Sequence, residues 1–238
     1  MEHDHSPEAI RARLSAGPRH SYLRDWVYGG IDGSVTTFAV VAGVVGAHLS
    51  PKVVLIIGAA NIIADGFSMA ASNFLGTKTE MEERQRIEAI EHSHIENFPE
   101  GEREEVRQIF MEKGFSGADL ERVVDLITSD RKRWVHTMLV EEYGLPLEVR
   151  SPSMAAASTL SAFMLCGLIP LLPYLFGATD AFWLSATLTG AVFFAIGSIK
   201  SMWSTVQWWR SGLETFAIGS IAALLAYAAG VLLRGFGQ

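Results

Sequence analysis

Five stretches of this chain are long and apolar enough to cross a bilayer, and they dictate the kind of fold available to it. They cover about 27–49, 53–75, 154–176, 181–199 and 213–233. A helix rises about 1.5 Å per residue, so roughly 20 residues cross the hydrocarbon core. Each stretch has that length and almost no charge, which argues for spanning helices over core helices of a soluble domain. Apolar residues make up 49% of the chain, against 19% charged, and the mean hydropathy is +0.24. The charge is gathered between the stretches, as in a membrane protein with one soluble insert.

The Lys and Arg residues set the expected orientation. Four lie in residues 1–28 (Arg11, Arg13, Arg19, Arg24) and eleven in 78–152. Lys200 and Arg210 flank the fourth loop, whereas only Lys52 and Arg234 fall on the opposite side. This bias places the N-terminus and the insert in the cytoplasm and the C-terminus outside, in a multi-pass protein of the cell (inner) membrane. Trp26, Trp203, Trp208 and Trp209 fit an interfacial belt. The opening MEHDHSPEAIRARLS is acidic and lacks an apolar core, so it is expected to be a polar tail rather than a signal peptide, with a short helix near 8–14. His3, Asp4 and His5 read as part of that tail. The single cysteine, Cys166, excludes a disulfide framework or Cys-based zinc site within one chain.

The insert shows no period-2 alternation and is expected to be helical throughout. The second span runs on through Thr77 without a turn signal, and its helix should reach about His94. Pro99 opens a helix to about Lys113, with Gly114 past its end. Ser116 caps a helix to about Thr128. Asp130 precedes RKRWVHTMLVEEYG, with Gly144 as the stop. Apolar stripes fall at Ile87 and Ile90, at Val106, Ile109 and Phe110, at Leu120, Val123, Val124 and Ile127, and at Trp134, Val135 and Leu139. A unit this small is expected to lean on the membrane helices or a second subunit. The expected domains are therefore a tail, 1–22; spans one and two, 23–77; a helical insert, 78–152; and spans three to five, 153–238.

Residues 79–112 carry eleven Glu against four Arg, a net charge of −7, which equals that of the whole chain. Such a run is often a solvated face. Here the spacing points further. Glu88, Glu91 and His94 recur every third residue, Glu102 and Glu105 are three apart, and Met138, Glu141 and Glu142 lie on one side of the last helix. Residues three or four apart share a helix face. Each helix could therefore offer ligands to a common metal centre. Carboxylates suit hard divalent cations, and adding His94 and Met138 shifts the preference toward Fe²⁺, Mn²⁺ or Zn²⁺. Met138 could equally be core packing. Glu91-xx-His94 also matches half of a di-iron signature, but the four-helix di-iron bundle needs two such motifs and two further Glu helices.

Ionisable groups inside spanning helices are costly and by default functional. Asp32 in the first span and Asp65 in the second fit that rule. Asn61, Asp65 and Met69, spaced four apart, line one stripe that could face Asp32 across a pore; Ser68 lies beside it. Gly190, Gly197, Gly219 and Ala223 are small residues of the kind that let membrane helices pack closely.

With these residues in hand, the chain resembles the vacuolar iron transporter family, carriers that also occur in bacteria, over about residues 22–235. The resemblance rests on YGGIDGSVTTFAVVAGVVGA in the first span, GAANIIADGFSMAASNFLGTKTE in the second, and ITSDRKRWVHTMLVEEYGL before the third. It implies an all-α membrane protein of five transmembrane helices, with a cytoplasmic helical metal-binding domain inserted between helices 2 and 3. It further implies a homodimer whose first spans line a central pathway, and export of cytosolic Fe²⁺ in exchange for protons. The family's first-span Asp falls on Asp32 and its second-span Met on Met69. A position that is Glu in eukaryotic members falls on Asn61, with Asp65 one turn on to supply a carboxylate. The domain's ligand pairs fall on Glu91 with His94 and on Glu102 with Glu105, and its final Met and Glu on Met138 and Glu142. His94 stands where a Glu is usual, and an imidazole must be neutral to bind metal, so acid should weaken that ligand.

The reading is a non-enzymatic carrier with no prosthetic group, binding Fe²⁺, Mn²⁺ or Zn²⁺ as cargo. Its partners are metal ions, protons, lipid and a second copy of itself, not nucleic acid. The rival readings are a membrane-tethered ferroxidase using Glu88, Glu91 and His94, and a metal sensor without flux.

Overall fold

A computed structural model describes residues 4–16, 21–146 and 150–233. Among these residues every regular element is helical. Five helical segments are long and apolar enough to span a membrane: Leu23–Gly46, Pro51–Asn97, Pro152–Leu175, Ala181–Trp203 and Trp208–Leu233. Helices satisfy all their backbone hydrogen bonds internally, which hydrocarbon requires. The chain divides into two compact units, one formed by Met1–Arg19 and Gly76–Ser151, the other by His20–Leu75 and Pro152–Gln238. His3, Arg19 and Arg234 lie outside the described residues.

The apolar unit contains α2 (Leu23–Gly46), the first part of α3 (Pro51–Asn97), α7 (Pro152–Leu168), the single turn α8 (Leu172–Leu175), α9 (Ala181–Lys200) and α10 (Trp208–Leu233). The first span ends at Gly46, before the expected 49, because His48 turns into the left-handed region at φ 57°. The last begins at Trp208, not near 213. Between α7 and α8 the chain tightens into a 3₁₀ turn, Ile169–Leu171. Pro170 has no N–H to continue the α-helical ladder, and its ring crowds the preceding turn.

Small residues hold this unit together. A Cβ on Gly29 would lie 2.2 Å from the Thr159 carbonyl oxygen, and one on Gly33 2.4 Å from that of Phe163, so α2 and α7 touch backbone to backbone. Similar contacts join α10 to α2 at Gly230, where a Cβ would sit 2.3 Å from the Gly43 oxygen, and α9 to α10 at Gly197, 2.5 Å from the Ser211 oxygen. This is the packing expected where hydrocarbon surrounds the helices. Phe38, Val41, Val44, Val54, Ile62, Leu171 and Tyr174 form the main apolar core. Near the start of α2, Asn73 of α3 donates to the buried Asp25 carboxylate at 3.0 Å, to Thr159 Oγ1 at 2.8 Å and to the Ala155 carbonyl at 3.3 Å. One amide thereby joins three helices. The outer face of α10 is apolar, with Leu224 and Leu225 each 68% exposed, which suits lipid rather than water.

The second unit contains α1 (Pro7–Ala16), the remainder of α3, α4 (Pro99–Glu112), α5 (Gly117–Thr128) and α6 (Arg131–Glu141). Its core is Val106, Leu120, Val124, Ile127, Trp134 and Met138, with Ile95 packed against it. The stripe expected from Ile87 and Ile90 is displaced; Ile90 is exposed, and α3 meets this core one turn later. Asp130 caps α6 by accepting from the Arg133 N–H at 2.8 Å. Ser116 occupies the N-cap position of α5 with extended backbone but makes no side-chain capping bond. Gly144, at φ +65°, turns the chain after α6.

Candidate metal centre

Three helices converge on a cluster of carboxylates around one imidazole. Glu91 and His94 sit one turn apart on α3, and Pro99 starts α4 so that Glu102 falls opposite them. His94 Nδ1 lies 3.3 Å from Glu102 Oε1 and 3.7 Å from Glu91 Oε1. One ligand atom from each of the three residues lies within 4.8 Å of the others. A four-coordinate cation with bonds of about 2.1 Å sets its ligands about 3.4 Å apart, so small rotations would close this triad on one ion.

Glu91 is 0% and Glu102 5% exposed. The Oε2 atom of each is buried and meets no hydrogen-bond donor among the described residues. A buried anionic oxygen without a partner is costly unless a cation or a proton joins it. Burial, followed by repulsion from Glu91, Glu105 and Glu142, pushes the Glu102 carboxyl up to about 7. Burial and the charges of Glu91 and Glu105 also raise that of Glu142, opposed by a hydrogen bond from Tyr143 and by His94. Glu105 and Glu142 thus add their charge to the triad.

The other candidates are placed differently. Glu88 pairs with Arg84 at 3.0 Å. Glu141 pairs with Lys113 at 2.7 Å. Met138 is fully buried, and its side chain packs with Val106 and Trp134 in the apolar core. Tyr143 had no place among the candidates, yet its hydroxyl donates to Glu91 Oε1 at 3.0 Å. Its only sequence signal was its position just after Glu141 and Glu142.

In the apolar unit, Asp32 of α2 is half-buried and Asp65 of α3 is exposed, close enough for their charges to interact. Asn61 donates to Thr36 Oγ1 at 3.3 Å, and that hydroxyl donates to the Asp32 carbonyl at 2.8 Å. Met69, half-buried, continues the stripe one turn beyond Asp65.

The family model described as VIT family matches residues 23–231, nearly the whole chain. The chain belongs to the VIT family. Its relatives include a protein named vacuolar iron transporter from Toxoplasma gondii, 33% identical over 225 residues that cover 90% of this chain and 74% of the relative. Vacuolar iron transporter 1 of Arabidopsis thaliana is 32% identical over 208 residues, 86% of this chain and 83% of the relative. Vacuolar iron transporter 2 of Oryza sativa is 30% identical over the same length, 86% of this chain and 85% of the relative. The VIT match takes in both the spans and the helices that carry the Glu91 cluster. With five apolar helices, this VIT protein is a multi-pass membrane protein.

Proposed function

We propose that this VIT-family protein carries divalent transition metal, Fe²⁺ foremost and Mn²⁺ second, out of the cytosol in exchange for protons. The observation that carries the reading is the triad of Glu91, His94 and Glu102, in which each carboxylate sets Oε1 beside the imidazole and keeps a buried Oε2 without a donor among the described residues. Two hard oxygens and one borderline nitrogen suit Fe²⁺, Mn²⁺ and Zn²⁺ better than Mg²⁺, which favours an all-oxygen, water-rich shell. In this reading the helical insert is cytoplasmic and captures metal through Glu91, His94 and Glu102, with Glu105 and Glu142 adding charge. Metal then crosses through Asp32, Asp65 and Met69, with Asn61 as a neutral oxygen ligand. Two copies of the chain pair so that the exposed Asp65 stripe borders a shared path.

A carboxylate that releases metal takes up a proton, which gives the exchange its chemistry. The Glu102 carboxyl, at about 7, is poised to make that trade near neutral pH. The relatives' names support iron as cargo. The test is flux into proteoliposomes under an imposed pH gradient, with Fe²⁺, Mn²⁺ and Zn²⁺ supplied in turn. Fe²⁺ uptake that collapses with the gradient is expected; metal binding without flux would overturn the carrier reading.

A further inference from the structure

We propose that Tyr143 is a positioning residue of the metal centre: its hydroxyl holds Glu91 by Oε1 so that Oε2 is presented to the cation. The inference rests on the reading of Glu91, His94 and Glu102 as a capture site.

The Tyr143 hydroxyl donates to Glu91 Oε1 at 3.0 Å and shares its proton with the neighbouring Glu142 carboxylate. The same oxygen lies 3.7 Å from His94 Nδ1. Oε2 is left buried and without a donor. Of the two oxygens on Glu91, one is thus committed to the protein and the other is available to an ion. The Tyr143 hydroxyl also interacts with the Glu142 carboxylate, so it stands between two acids that repel each other. Without it, Glu91 would lose the donor on Oε1 and keep only its contacts with Glu102 and with His94 at 3.7 Å.

The turn that carries Tyr143 is tied down on both sides. The Tyr143 N–H donates to the Met138 carbonyl at 3.4 Å, and the Leu145 N–H to that of Leu139 at 2.8 Å. Met138 and Leu139 are both fully buried. Arg84 donates to the Pro146 carbonyl at 3.0 Å. The phenol therefore reaches Glu91 from a fixed backbone. Tyr143 is 37% exposed, so it adds little to the apolar core, and loss of the hydroxyl alone should leave the fold intact.

Partners that orient a metal ligand typically contribute about ten- to hundredfold in affinity. The full-length protein in detergent is titrated with Co²⁺ alone, whose visible absorption reports ligand geometry. Tyr143→Phe is expected to weaken Co²⁺ binding about ten- to hundredfold and to alter the band, while the metal-free protein stays folded at a somewhat lower melting temperature, since a buried carboxylate loses a donor. In a Glu91→Gln background the same substitution should have almost no further effect, because the two residues act as one unit. Unchanged affinity and spectrum in Tyr143→Phe would overturn the proposal, as would an equal loss in the Glu91→Gln background. A Tyr143→Phe protein that unfolds without metal would make Tyr143 a structural residue and overturn it too. If the wild-type protein shows no Co²⁺ band, the capture reading itself fails, whatever Tyr143 does.

Discussion

Asn73 on α3 donates a 3.0 Å hydrogen bond to the Asp25 carboxylate on α2, and the same amide reaches Thr159 on α7. Eight residues earlier on α3 lies Asp65; seven later on α2 lies Asp32. The helices run antiparallel, so Asn73 sets the level at which Asp65 meets Asp32. Replacing Asn73 with Leu removes one partner from a buried carboxylate and should cost about 1–3 kcal/mol. A clear drop in melting temperature in detergent is expected, with metal binding by the Glu91 cluster retained.

Gly29 tests the contact between α2 and α7. Alanine there would place its Cβ 2.2 Å from the Thr159 carbonyl, against backbone that cannot rotate away. Overpacking of this kind costs about 1–3 kcal/mol or more. Gly29→Ala should lower stability and flux together, whereas Gly76→Ala, whose Cβ meets nothing within 4 Å, should not change the melting temperature measurably.

Asp32→Ala is expected to abolish metal flux into proteoliposomes while the full-length protein still binds metal at the Glu91 cluster. Flux and binding are measured on the same preparation. Unchanged flux would remove Asp32 from the path.

Glu102 makes the metal-free protein sensitive to pH in a definite direction. Its folded carboxyl is raised from the ordinary 4.5 to about 7. The folded state therefore holds the proton more tightly than the unfolded state. Its stabilising contribution is full below about 4.5 and is lost as pH rises through about 7. Melting curves without metal should show the helical unit less stable at pH 8 than at pH 5. Glu102→Gln should flatten that trend and weaken metal binding. In the wild type, metal affinity should climb as pH rises through about 7, because metal displaces the proton.

His94→Gln exchanges a nitrogen ligand for an amide. Nitrogen donors favour Zn²⁺ and Co²⁺ over Mn²⁺. Titration should show Zn²⁺ affinity falling more than Mn²⁺ affinity, so that the ratio of the two constants narrows. An unchanged ratio would mean that His94 does not touch the ion.

The five spans were legible because each carries its own signal: some 20 apolar residues with no charge settle the matter locally. Helix ends in the insert were legible for the same reason, since Pro99, Asp130 and Gly144 act on their own turns. The spacing of Glu91 and His94 showed that they share a face. Other features depend on which way a helix is rotated against its neighbours, and a single chain does not print that. Met138 turned into the apolar core with Trp134, while Glu88 and Glu141 found Arg84 and Lys113 instead. Tyr143 reaches Glu91 across 52 positions, through a turn whose course only packing determines. The Asn73–Asp25 pair escaped notice because an amide near the end of an apolar run resembles any polar flank.

The glycine seams bear on how the apolar unit could change shape. α2, α7, α9 and α10 are joined where a carbonyl of one helix rests on a glycine of the next, and no rotamer change can relieve a slip between them. They form a chassis. α3 is attached differently: at Gly58 and Gly66 its nearest neighbours are the side-chain ends of Leu171, Phe163 and Leu160, which can swing aside. Its polar ties lie at Asn73 and, more weakly, at Asn61. Within this unit a shift of α3 would be met by side chains that can rotate rather than by fixed backbone, and Asp65 and Asn61 lie on that helix.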